Sequence, residues 1–531
     1  MIGRLIDRAV QTIGSGAVAV SAATRAGLVR PEPPDRLFRM LLALNRYGAT
    51  PATGAAMAAA RWPDRPGLID EHGVLTFAEL DRRSAALAAG LHARFGVGPG
   101  SRLAIMCRNH RGLVLALLAG SRIGADLVLL NTGFAARQLD DVLARERADA
   151  VLLDREFEPL LAATSFLGPR AAADHPSFDG LSDPGGPAPP APLRAGRLIL
   201  LTSGTTGTPK GAARGLSVRS LTGPFTSLLA TVPVRSGDPI LIAPPLFHAF
   251  GMLWYGMSLV LGCPVVLTGR FDPEALPAAV ERHGVRALIA VPVMLERILA
   301  APARPARSRL RMIMVSGSPL RPALARAARD AFGDVLYDLY GSTETGWGAI
   351  ATPDDLREAP GTVGRPPRGT TVRILDESGA DLPPGRTGRV FIGGGLRFAG
   401  YTGGGTRETI GDLMDTGDIG HWDEAGRLFI DGRADKMIIS GGENVYPQEV
   451  EDLLAEHPAV AETAVVGVPD AEYGQRLAAY VVRRPGGGEV SAQDLQRYVR
   501  ENLAGFKVPR SVDFVESLPR TASGKVAETE L

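Results

Sequence analysis

Short apolar runs separated by a helical segment constrain the fold of this chain most strongly. Residues 102–107 (RLAIMC) and 127–131 (LVLLN) have the length and composition of buried strands, and 111–125 (RGLVLALLAGSRIGA) between them has the pattern of a helix. A strand, a helix and a second strand in this order are typical of a parallel sheet covered by helices. Similar runs follow at 238–245, 263–269, 285–292 and 310–317. The sequence therefore predicts a large α/β body.

The start of one helix can be placed at Thr76. Glu79 follows three positions later, the spacing of a capping box, in which each side chain bonds the backbone N–H of the other residue. Phe77, Leu80 and Leu87 then recur at helical spacing. The pattern predicts a helix that begins directly after Thr76 and buries one face.

The chain is expected to divide into domains, because 531 residues exceed what one compact core holds. Residues 174–196 are rich in Pro and Gly and indicate a surface connection. After Thr370 the sequence changes to short strands with turns, and beyond 432–445 it forms an α+β unit of about 100 residues. We expect an N-terminal extension over 1–48, a large N-terminal domain over 49–434 and a small domain over 435–531.

Charge and cysteine content exclude several classes of site. Because 58 basic side chains are balanced by 57 acidic ones, no global field recruits nucleic acid or an anionic membrane. The two cysteines, Cys107 and Cys263, are far apart and lack ligand spacing, which fits a reducing cytoplasm and argues against a disulfide or a zinc site. No run approaches the ~20 apolar residues of a membrane-spanning helix.

The first 28 residues combine basic and apolar side chains. Asp7 and Arg8 interrupt the apolar run, which disfavours a secretory signal. Arg4, Asp7, Arg8 and Gln11 recur at helical spacing. This pattern favours a short amphipathic helix on a protein or membrane surface and leaves a peripheral membrane contact open.

The stretch 202–211 (TSGTTGTPKG) follows an apolar strand and concentrates glycine and hydroxyl side chains beside one lysine. Glycines let backbone N–H groups approach phosphate oxygens, and Ser or Thr hydroxyls add donors without repelling an anion. A Walker loop needs Ser or Thr directly after its lysine, whereas Lys210 lies between Pro209 and Gly211. The stretch is interpreted as a phosphate-binding loop whose metal ligand must lie elsewhere in the chain.

Three further motifs follow in a fixed order. They are 334–347 (DVLYDLYGSTETGW), 412–451, which contains DTGDIG and SGGENVYPQEVE, and 519–526 (PRTASGKV). Together with the loop they resemble the adenylate-forming superfamily from about Ala49 to the C-terminus, most closely its AMP-forming fatty-acyl-CoA ligases. The resemblance implies a large AMP-binding N-terminal domain of helix-covered sheets with a β-rich subdomain, and a small mobile α+β C-terminal domain.

The resemblance also implies a nucleotide site. The β- and γ-phosphates of ATP would be wrapped by the loop residues Thr202, Ser203, Gly204, Thr205, Thr206, Gly207 and Lys210. The adenosine would be held by Ser316, Gly317 and Ser318 along the adenine, Asp338 at its amino group, Tyr340 stacked on the base, and Asp418 with Arg433 at the ribose. Thr343 would contact the α-phosphate and Glu344 would ligate Mg²⁺.

Other positions are implied to serve the two half-reactions. Asp435 matches the hinge of the mobile domain, and Lys525 matches the lysine that reaches into the adenylation site. Gly441, Gly442 and Glu443 match the loop that enters for the second step.

The substrate side is less defined by sequence. His248 matches a position beside the acyl and pantetheine tunnels of the family, although a lone histidine among apolar residues also fits a core position. Trp254, Met257 and Trp347 either line an acyl pocket or pack the core, and the sequence leaves both readings open.

The C-terminal tail departs from the family's pattern. Relatives commonly continue with basic residues after the catalytic lysine, whereas Glu528 and Glu530 make this tail acidic. The surroundings of Lys525 are therefore expected to differ from those in the family.

The expected activity is acyl-CoA synthesis with ATP, Mg²⁺ and coenzyme A. A carboxylic acid, expected to be a medium- or long-chain fatty acid, would form acyl-AMP and pyrophosphate, and coenzyme A would then displace AMP. A ligase for an aryl or other non-fatty carboxylate and an enzyme that loads a carrier protein stay open as alternatives. The intact Lys210, Glu344, Asp418 and Lys525 oppose a catalytically dead nucleotide-binding protein. Nucleic acid is not expected as a partner, and a homodimer is left open.

Overall fold

Among the residues that the structure describes, four β-sheets and the helices packed on them form the fold. The computed structural model describes residues 20–183, 189–190, 192, 194–202, 210–214, 218–305, 309–398, 400–434, 436, 438–440, 443–470, 474–503, 505–521 and 525–531. The helices are α1 Pro34–Tyr47, α2 Pro51–Arg61, α3 Phe77–Phe95, α4 Arg111–Arg122, α5 Ala136–Glu146, α6 Glu158–Ala162, α7 Pro176–Leu181, α8 Val218–Thr231, α9 Ala249–Leu261, α10 Leu276–Arg282, α11 Pro292–Ala300, α12 Pro322–Phe332, α13 Pro353–Glu358, α14 Pro447–Glu456 and α15 Ala492–Asn502. Short 3-10 turns cover Arg155–Phe157, Gly505–Lys507 and Glu528–Glu530, and a helical stretch over 20–25 precedes α1.

The strands follow one another from the start of the large domain to the C-terminus. They are β1 Pro66–Asp70, β2 Gly73–Thr76, β3 Arg102–Met106, β4 Asp126–Leu129, β5 Ala150–Leu153, β6 Arg170–Ala172, β7 Leu198–Thr202, β8 Lys210–Arg214, β9 Ile240–Ile242, β10 Val265–Leu267, β11 Ala287–Ala290, β12 Met312–Ser316 and β13 Leu336–Ser342. Then come β14 Gly346–Ala351, β15 Thr362–Gly364, β16 Thr370–Leu375, β17 Gly388–Gly394, β18 Thr409–Ile410, β19 Leu413–Trp422, β20 Leu428–Arg433, β21 Ile438–Ser440, β22 Glu443–Val445, β23 Val460–Asp470, β24 Gly474–Arg483 and β25 Ser511–Phe514.

Two of the sheets are largely parallel. The eight-stranded sheet has the order β14-β13-β12-β11-β9-β10-β1-β2, and its pairs are parallel except for the two edge hairpins. The second sheet has the order β6-β5-β3-β4-β7-β8, and only its β7–β8 pair is antiparallel. An antiparallel sheet, β15-β20-β19-β17-β16 with β18 beside β19, follows in sequence, and β21 to β25 form the fourth sheet.

Alternate residues of the parallel strands pack on opposite faces. In β3, Leu103 and Ile105 join the core between the two parallel sheets, whereas Ala104 and Met106 join the core on the outer side. Strand β12 divides its residues in the same way. Because both faces are buried, these strands are continuous apolar runs in the sequence. The predicted α/β body is confirmed.

Local signals in the sequence also correspond to the structure. Strand β3, helix α4 and strand β4 form the predicted strand–helix–strand unit, with β3 and β4 parallel. Helix α3 begins after Thr76, whose Oγ1 accepts a hydrogen bond from the backbone N–H of Glu79 at 3.2 Å. The backbone N–H of Thr76 in turn donates to Glu79 Oε2 at 2.8 Å. The predicted capping box is confirmed.

The segment 174–196, which the sequence indicates as a surface connection, contains the short helix α7. Phe178 and Leu181 lie three positions apart, so they share one helix face, and both are buried. The backbone carbonyl of Leu181 approaches Gly90 of α3 so closely that a Cβ there would lie 1.7 Å from it. Part of this segment therefore packs as a helix because two apolar side chains anchor it.

The small C-terminal sheet has its own core and polar contacts with the large domain. Residues such as Val450, Leu454 and Leu495 form that core. At the boundary, Arg321 Nη2 donates to the backbone carbonyl of Thr463 at 3.3 Å. Arg326 Nη2 also lies 3.7 Å from Glu456 Oε1. None of the helices in the described ranges has the length and apolarity needed to cross a membrane.

Candidate active site

The carboxyl ends of the parallel strands border a crevice with a volume of about 1830 Å³. The turns that follow β9, β11, β12 and β13 line one side of it, and α14 with the chain's last residues, including Lys525, lines the other. In open α/β sheets, ligands bind at the carboxyl ends of the strands. The crevice therefore occupies the position where this architecture places a site.

The turn after β12 gives the crevice one polar edge. Ser316 Oγ donates to the backbone carbonyl of Leu339 at 2.6 Å, which ties this turn to the neighbouring strand β13. Gly317 has a φ of +92°, a conformation that favours glycine, so the chain can bend away from the sheet here. Ser316, Gly317 and Ser318 all line the crevice, as the sequence predicts for residues along an adenine.

Asp338 lies on β13 beside this turn. Its side chain is 4% exposed, and burial raises the pKa of its carboxyl to about 7, against an ordinary value of 3.8. The backbone N–H of Leu339 opposes that rise only in part. Asp338 lines the crevice, so a buried carboxyl that can hold a proton near neutral pH faces the predicted adenine region.

Tyr340, Asp418 and Arg433 form one connected group. Strand pairing places Asp418 of β19 opposite Arg433 of β20. Tyr340 Oη donates to Asp418 Oδ2 at 2.5 Å, and Arg433 Nη1 donates to Asp418 Oδ1 at 3.1 Å. Burial raises the pKa of Asp418, and the hydrogen bond from Tyr340 and the charge of Arg433 oppose that rise. The structure thus brings together three residues that the sequence assigns to the base and the ribose.

Glu344 lies in the turn between β13 and β14. Ser342 Oγ accepts the backbone N–H groups of Glu344 at 3.2 Å and Thr345 at 3.1 Å, which fixes the turn. The Glu344 carboxylate is buried, and its Oε1 accepts a hydrogen bond from Tyr401 Oη at 3.0 Å. Thr343, in the same turn, also lines the crevice.

Tyr401 is a site residue that motif matching missed. Besides bonding Glu344, its ring lies 5.5 Å from Lys210 Nζ, measured to the ring centroid. Tyr401 forms an antiparallel bridge with Ala212 of β8, and the next residue, Thr402, donates its backbone N–H to the carbonyl of Gly211 at 2.8 Å. Tyr401 therefore joins the end of the phosphate loop to the predicted metal ligand.

A second missed residue is Arg407, which also lines the crevice. Its Nε is buried without a hydrogen-bond partner among the described residues, and its charge acts on the carboxyl of Asp418. Neither Tyr401 nor Arg407 stands in one of the quoted motifs, and a lone aromatic or arginine in a glycine-rich stretch carries no distinguishing pattern. Only the three-dimensional structure identifies them.

Lys525 lies in the crevice, where its surroundings lower the pKa of its ammonium group. The largest cause is desolvation by neighbouring protein, followed by the charge of Arg433, whereas Asp418 and Glu344 act in the opposite direction. The backbone N–H of Thr521 donates to the carbonyl of Lys525 at 2.7 Å, which ties Lys525 to the described chain before it. The predicted lysine, ribose acid and metal ligand thus share one electrostatic environment.

The acidic tail is folded back toward the small domain. Glu528, which follows Lys525 by three residues, pairs with Lys436. Lys436 is one of the cations that lower the pKa of Lys525. The acidic tail therefore places a carboxylate on a cation near Lys525, the predicted adenylation lysine.

His248 lies just before α9 at the other end of the crevice. Its Nε2 is buried and has no hydrogen-bond partner among the described residues. Burial, with a smaller contribution from the charge of Lys525, lowers the pKa of the imidazole to about 4. Its ring lies 4.6 Å from that of Phe247, centroid to centroid.

Two tryptophans that the sequence left undecided take different positions. Trp347 lines the crevice, as does Met257. Trp254 is fully buried in the core between the parallel sheets and is not among the described residues that line the crevice. Because α9 is apolar on all sides, its residues face the core as well as the crevice, and the sequence pattern cannot separate the two. The pocket reading of Trp254 is therefore corrected to a core position.

Several predicted site residues lie outside the described part of the chain. They are Ser203, Gly204, Thr205, Thr206 and Gly207 of the loop, the hinge position Asp435, and Gly441 and Gly442. Thr202 ends β7 and Glu443 begins β22, and only their backbones are described. The roles of all these residues stay predictions.

Known protein families match most of the chain. The model for "AMP-binding enzyme" matches residues 55–402, and that for "AMP-binding enzyme C-terminal domain" matches residues 449–525. Feruloyl-CoA synthase of an Amycolatopsis species is 36% identical over 486 residues, which cover 88% of this chain and 97% of that protein. The fatty acid–[acyl-carrier-protein] ligase ScoC of Streptomyces coeruleorubidus is 32% identical and covers 88% of this chain and 93% of its own.

A solved structure gives the same result. The o-succinylbenzoate CoA synthetase of Bacillus subtilis, in complex with its acyl-adenylate intermediate, superposes with a TM-score of 0.80 at 30% identity, covering 90% of this chain and 97% of that one. These similarities confirm the predicted family, fold class and enzyme class. The chain belongs to the AMP-binding enzyme family of adenylate-forming enzymes, and it is an AMP-forming ligase that makes a carbon–sulfur bond.

Proposed function

We propose that this ligase uses ATP to activate a carboxylic acid with an apolar body and then transfers the acyl group from AMP to coenzyme A. The observation that carries the proposal is the convergence of Glu344, Asp418 and Lys525 on one crevice. These residues come from three distant segments, and each suits a different part of an adenylate-forming reaction.

The adenosine of ATP is assigned to the edge formed by the turn after β12 and by β13. The three residues Ser316, Gly317 and Ser318 would follow the adenine, Asp338 would meet its amino group, and Tyr340 would stack on it. Asp418 would accept hydrogen bonds from the ribose hydroxyls, because a carboxylate takes two donors at once. Tyr340 donates to one oxygen of Asp418 and Arg433 donates to the other.

Glu344 is suited to act as a ligand of Mg²⁺. Its buried carboxylate is oriented by Tyr401, which donates a hydrogen bond to Oε1. Carboxylate oxygens are ligands that Mg²⁺ prefers. When bound, Mg²⁺ supplies positive charge that neutralises charge on the phosphate oxygens.

The first chemical step needs little acid–base help, since the acid is ionised at neutral pH. A carboxylate oxygen forms a bond to the α-phosphorus of ATP while the bond to the bridging oxygen breaks, and the electron pair leaves with pyrophosphate. Lys525 and Thr343 would stabilise charge on the α-phosphate oxygens, so catalysis rests on position and electrostatics.

The second step exchanges AMP for sulfur. The thiolate of coenzyme A bonds to the acyl carbon, and AMP leaves with the electrons of the broken carbon–oxygen bond. Because Lys525 serves the first step and the loop 441–443 the second, the small domain would rotate about Asp435 between them. This assignment of the hinge rests on the family resemblance.

The acid is assigned to the end of the crevice near His248. Apolar side chains line this end, among them Phe250, Leu253, Met257 and Trp347. They suit an aryl ring or an alkyl chain, and the 36% identity to feruloyl-CoA synthase favours an aryl acid. The fatty acid expected from the sequence stays a prediction, as does a carrier protein in place of coenzyme A.

The test is pyrophosphate release with a panel of acids. Cinnamic acids, medium-chain and long-chain fatty acids would each be supplied with ATP and Mg²⁺, with and without coenzyme A. We expect pyrophosphate and acyl-AMP from at least one apolar acid without coenzyme A, and the thioester when it is added. If no acid of the panel gave AMP, the proposed function would be wrong.

A pair of variants links the activity to the crevice. Asp418→Ala removes the assigned ribose ligand and should raise the KM for ATP by about 10–100-fold, since a charge-assisted hydrogen bond is lost. Asp412→Ala removes a fully exposed acid just before the same strand and should leave the KM unchanged. Equal effects of both changes would contradict the assigned position of the ribose.

A further inference from the structure

The outer face of α1 carries a stripe of exposed apolar side chains. Its residues Leu37, Phe38, Leu41 and Leu42 are 46%, 62%, 65% and 49% exposed. Val20 and Val29, from the chain just before α1, are also exposed. These six are more than half of the large exposed apolar residues in the described chain, and the others are scattered singly. A concentration of this kind marks an interaction surface.

The stripe has the geometry of one helix face. Its four residues of α1 are spaced i, i+1, i+4 and i+5, which places them side by side on a helix with 3.6 residues per turn. The opposite face of α1 is fixed by Ala43 and Tyr47, which are buried and pack with Ala52 at the start of α2. The stripe is therefore held outward by a helix that the protein anchors from behind.

Basic residues accompany the stripe. Residues 20–47 contain five arginines (Arg25, Arg30, Arg36, Arg39 and Arg46) and two acids (Glu32 and Asp35), a net charge of 5 − 2 = +3. On the helix, Arg39 and Arg46 lie along one border of the stripe, with Arg39 bonded to Asp35 at 2.8 Å. The whole chain has a net charge of only +1, so this surface is locally basic.

We propose that α1 docks this enzyme on an anionic lipid surface, with the stripe inserted at the headgroup boundary and the arginines near lipid phosphates. An apolar helix face bordered by basic residues is the surface that interfacial helices present to membranes. A second protein is a poorer occupant, because stable interfaces use about 20–30 residues on each side. Here only six large apolar side chains are presented.

The same helix reaches the substrate crevice. Leu44, one turn beyond Leu41, lines the crevice, together with residues of the α1–α2 connection and of α2, including Thr50 and Met57. Docking through α1 therefore brings the apolar end of the crevice next to the lipid. This part rests on the proposed function, in which the substrate is a carboxylic acid with an apolar body.

The test is sedimentation of the full chain with vesicles. One set contains phosphatidylcholine with phosphatidylglycerol, and the other contains phosphatidylcholine alone. We expect binding to the anionic vesicles that weakens at high salt. The double variant Phe38→Ser/Leu41→Ser should lower the partition coefficient at least about tenfold, because two apolar side chains leave the lipid. Leu167→Ser, which changes an isolated side chain that is 95% exposed, is the matched control and should bind as the unchanged protein does.

Three results would overturn the proposal. They are absence of binding to anionic vesicles, equal binding by the double variant, and a dimer in sedimentation velocity that dissociates in the double variant. The last result would assign the stripe to a second copy of the chain. Pyrophosphate release with a water-soluble acid, measured without vesicles, separates this test from that of the proposed function, since the double variant should retain it fully.

Discussion

The two ends of the crevice each bury a titratable side chain, and burial acts on them in opposite directions. At the nucleotide end, Asp338 has its pKa raised to about 7. At the acyl end, His248 has its pKa lowered to about 4. Both groups are thereby kept uncharged over part of the pH range in which each would ordinarily be ionised.

The surroundings of these two groups differ as well. The nucleotide end is built from polar side chains with defined partners, such as Tyr340, Asp418 and Arg433. The acyl end is built from apolar side chains, and the imidazole Nε2 there has no partner among the described residues. One end can recognise a ligand by specific hydrogen bonds, whereas the other can select mainly by shape and apolar area.

The largest expected effect is on acyl-AMP formation when Lys525, at the charged end of the crevice, is removed. Lys525→Ala should reduce acyl-AMP formation by about 10²–10³-fold, because a cation aimed at developing negative charge is lost. Thioester formation from supplied acyl-AMP should be nearly unchanged. Single-turnover assays of each half-reaction measure both rates.

A matched lysine provides the control. Lys507 lies in the same small domain and pairs with Glu449. Lys507→Ala should leave both half-reactions close to their original rates. Equal loss of the two half-reactions in Lys525→Ala would contradict the assigned role.

The next test concerns the buried acid. Because the folded-state pKa of Asp338 lies above its ordinary value, ionisation opposes folding, and stability is lost as pH rises from about 4 to about 7. Asp338→Asn removes that loss. We expect the free energy of unfolding at pH 8 to rise by roughly 2–4 kcal/mol relative to the unchanged chain, with a much smaller change at pH 4. Urea unfolding at both pH values measures this, and an equal change at both would indicate packing instead of ionisation.

The dependence of stability on pH should have the opposite sign for the imidazole of His248. The folded-state pKa of His248 lies below its ordinary value of 6.5, so stability is present above that pH and is lost as pH falls from about 6.5 to about 4. His248→Gln should make this loss smaller by about 2 kcal/mol at pH 4. Urea unfolding between pH 4 and 7 measures the slope. An unchanged slope in the variant would show that other groups cause the loss.

The smallest effect tests selection by shape. Trp347→Ala enlarges the end of the crevice near His248. The change should alter the preference among acids of different size by about tenfold and leave the KM for ATP unchanged. Trp254→Phe, a change in the core beside the crevice, should leave that preference as it is. Rates with the panel of acids measure both. A similar shift in both variants would mean that the core, and not the lining, determines selection.

The parallel strands could be predicted because strands that are buried on both faces consist of consecutive apolar residues, which are visible in the sequence. The capping box at Thr76 could be predicted because its two side chains satisfy each other locally. The helix α7 could not, since its stability comes from Phe178 and Leu181 packing on α3, a contact between distant segments.

The residues of the candidate site also fall into those that the sequence identifies and those that only the structure identifies. Glu344, Asp418 and Lys525 stand in motifs with fixed neighbours, so the sequence identifies them and the structure then brings them together. Tyr401 bonds Glu344, which lies 57 positions earlier in the chain, and Arg407 acts on Asp418 through its charge; no local pattern records either interaction. The two tryptophans differ only in which side of an apolar region they face, and that depends on packing alone.

The polar contacts between the large domain and the small domain have a mechanical consequence. Arg321 donates to a backbone carbonyl, and Arg326 lies near Glu456 on the exposed rim. Water can replace each of these partners, so breaking these two contacts costs little free energy. Dissolved ions compete for the same arginines. If the small domain rotates as proposed, we therefore expect ionic strength to change how long it keeps this arrangement, independent of how tightly any substrate binds.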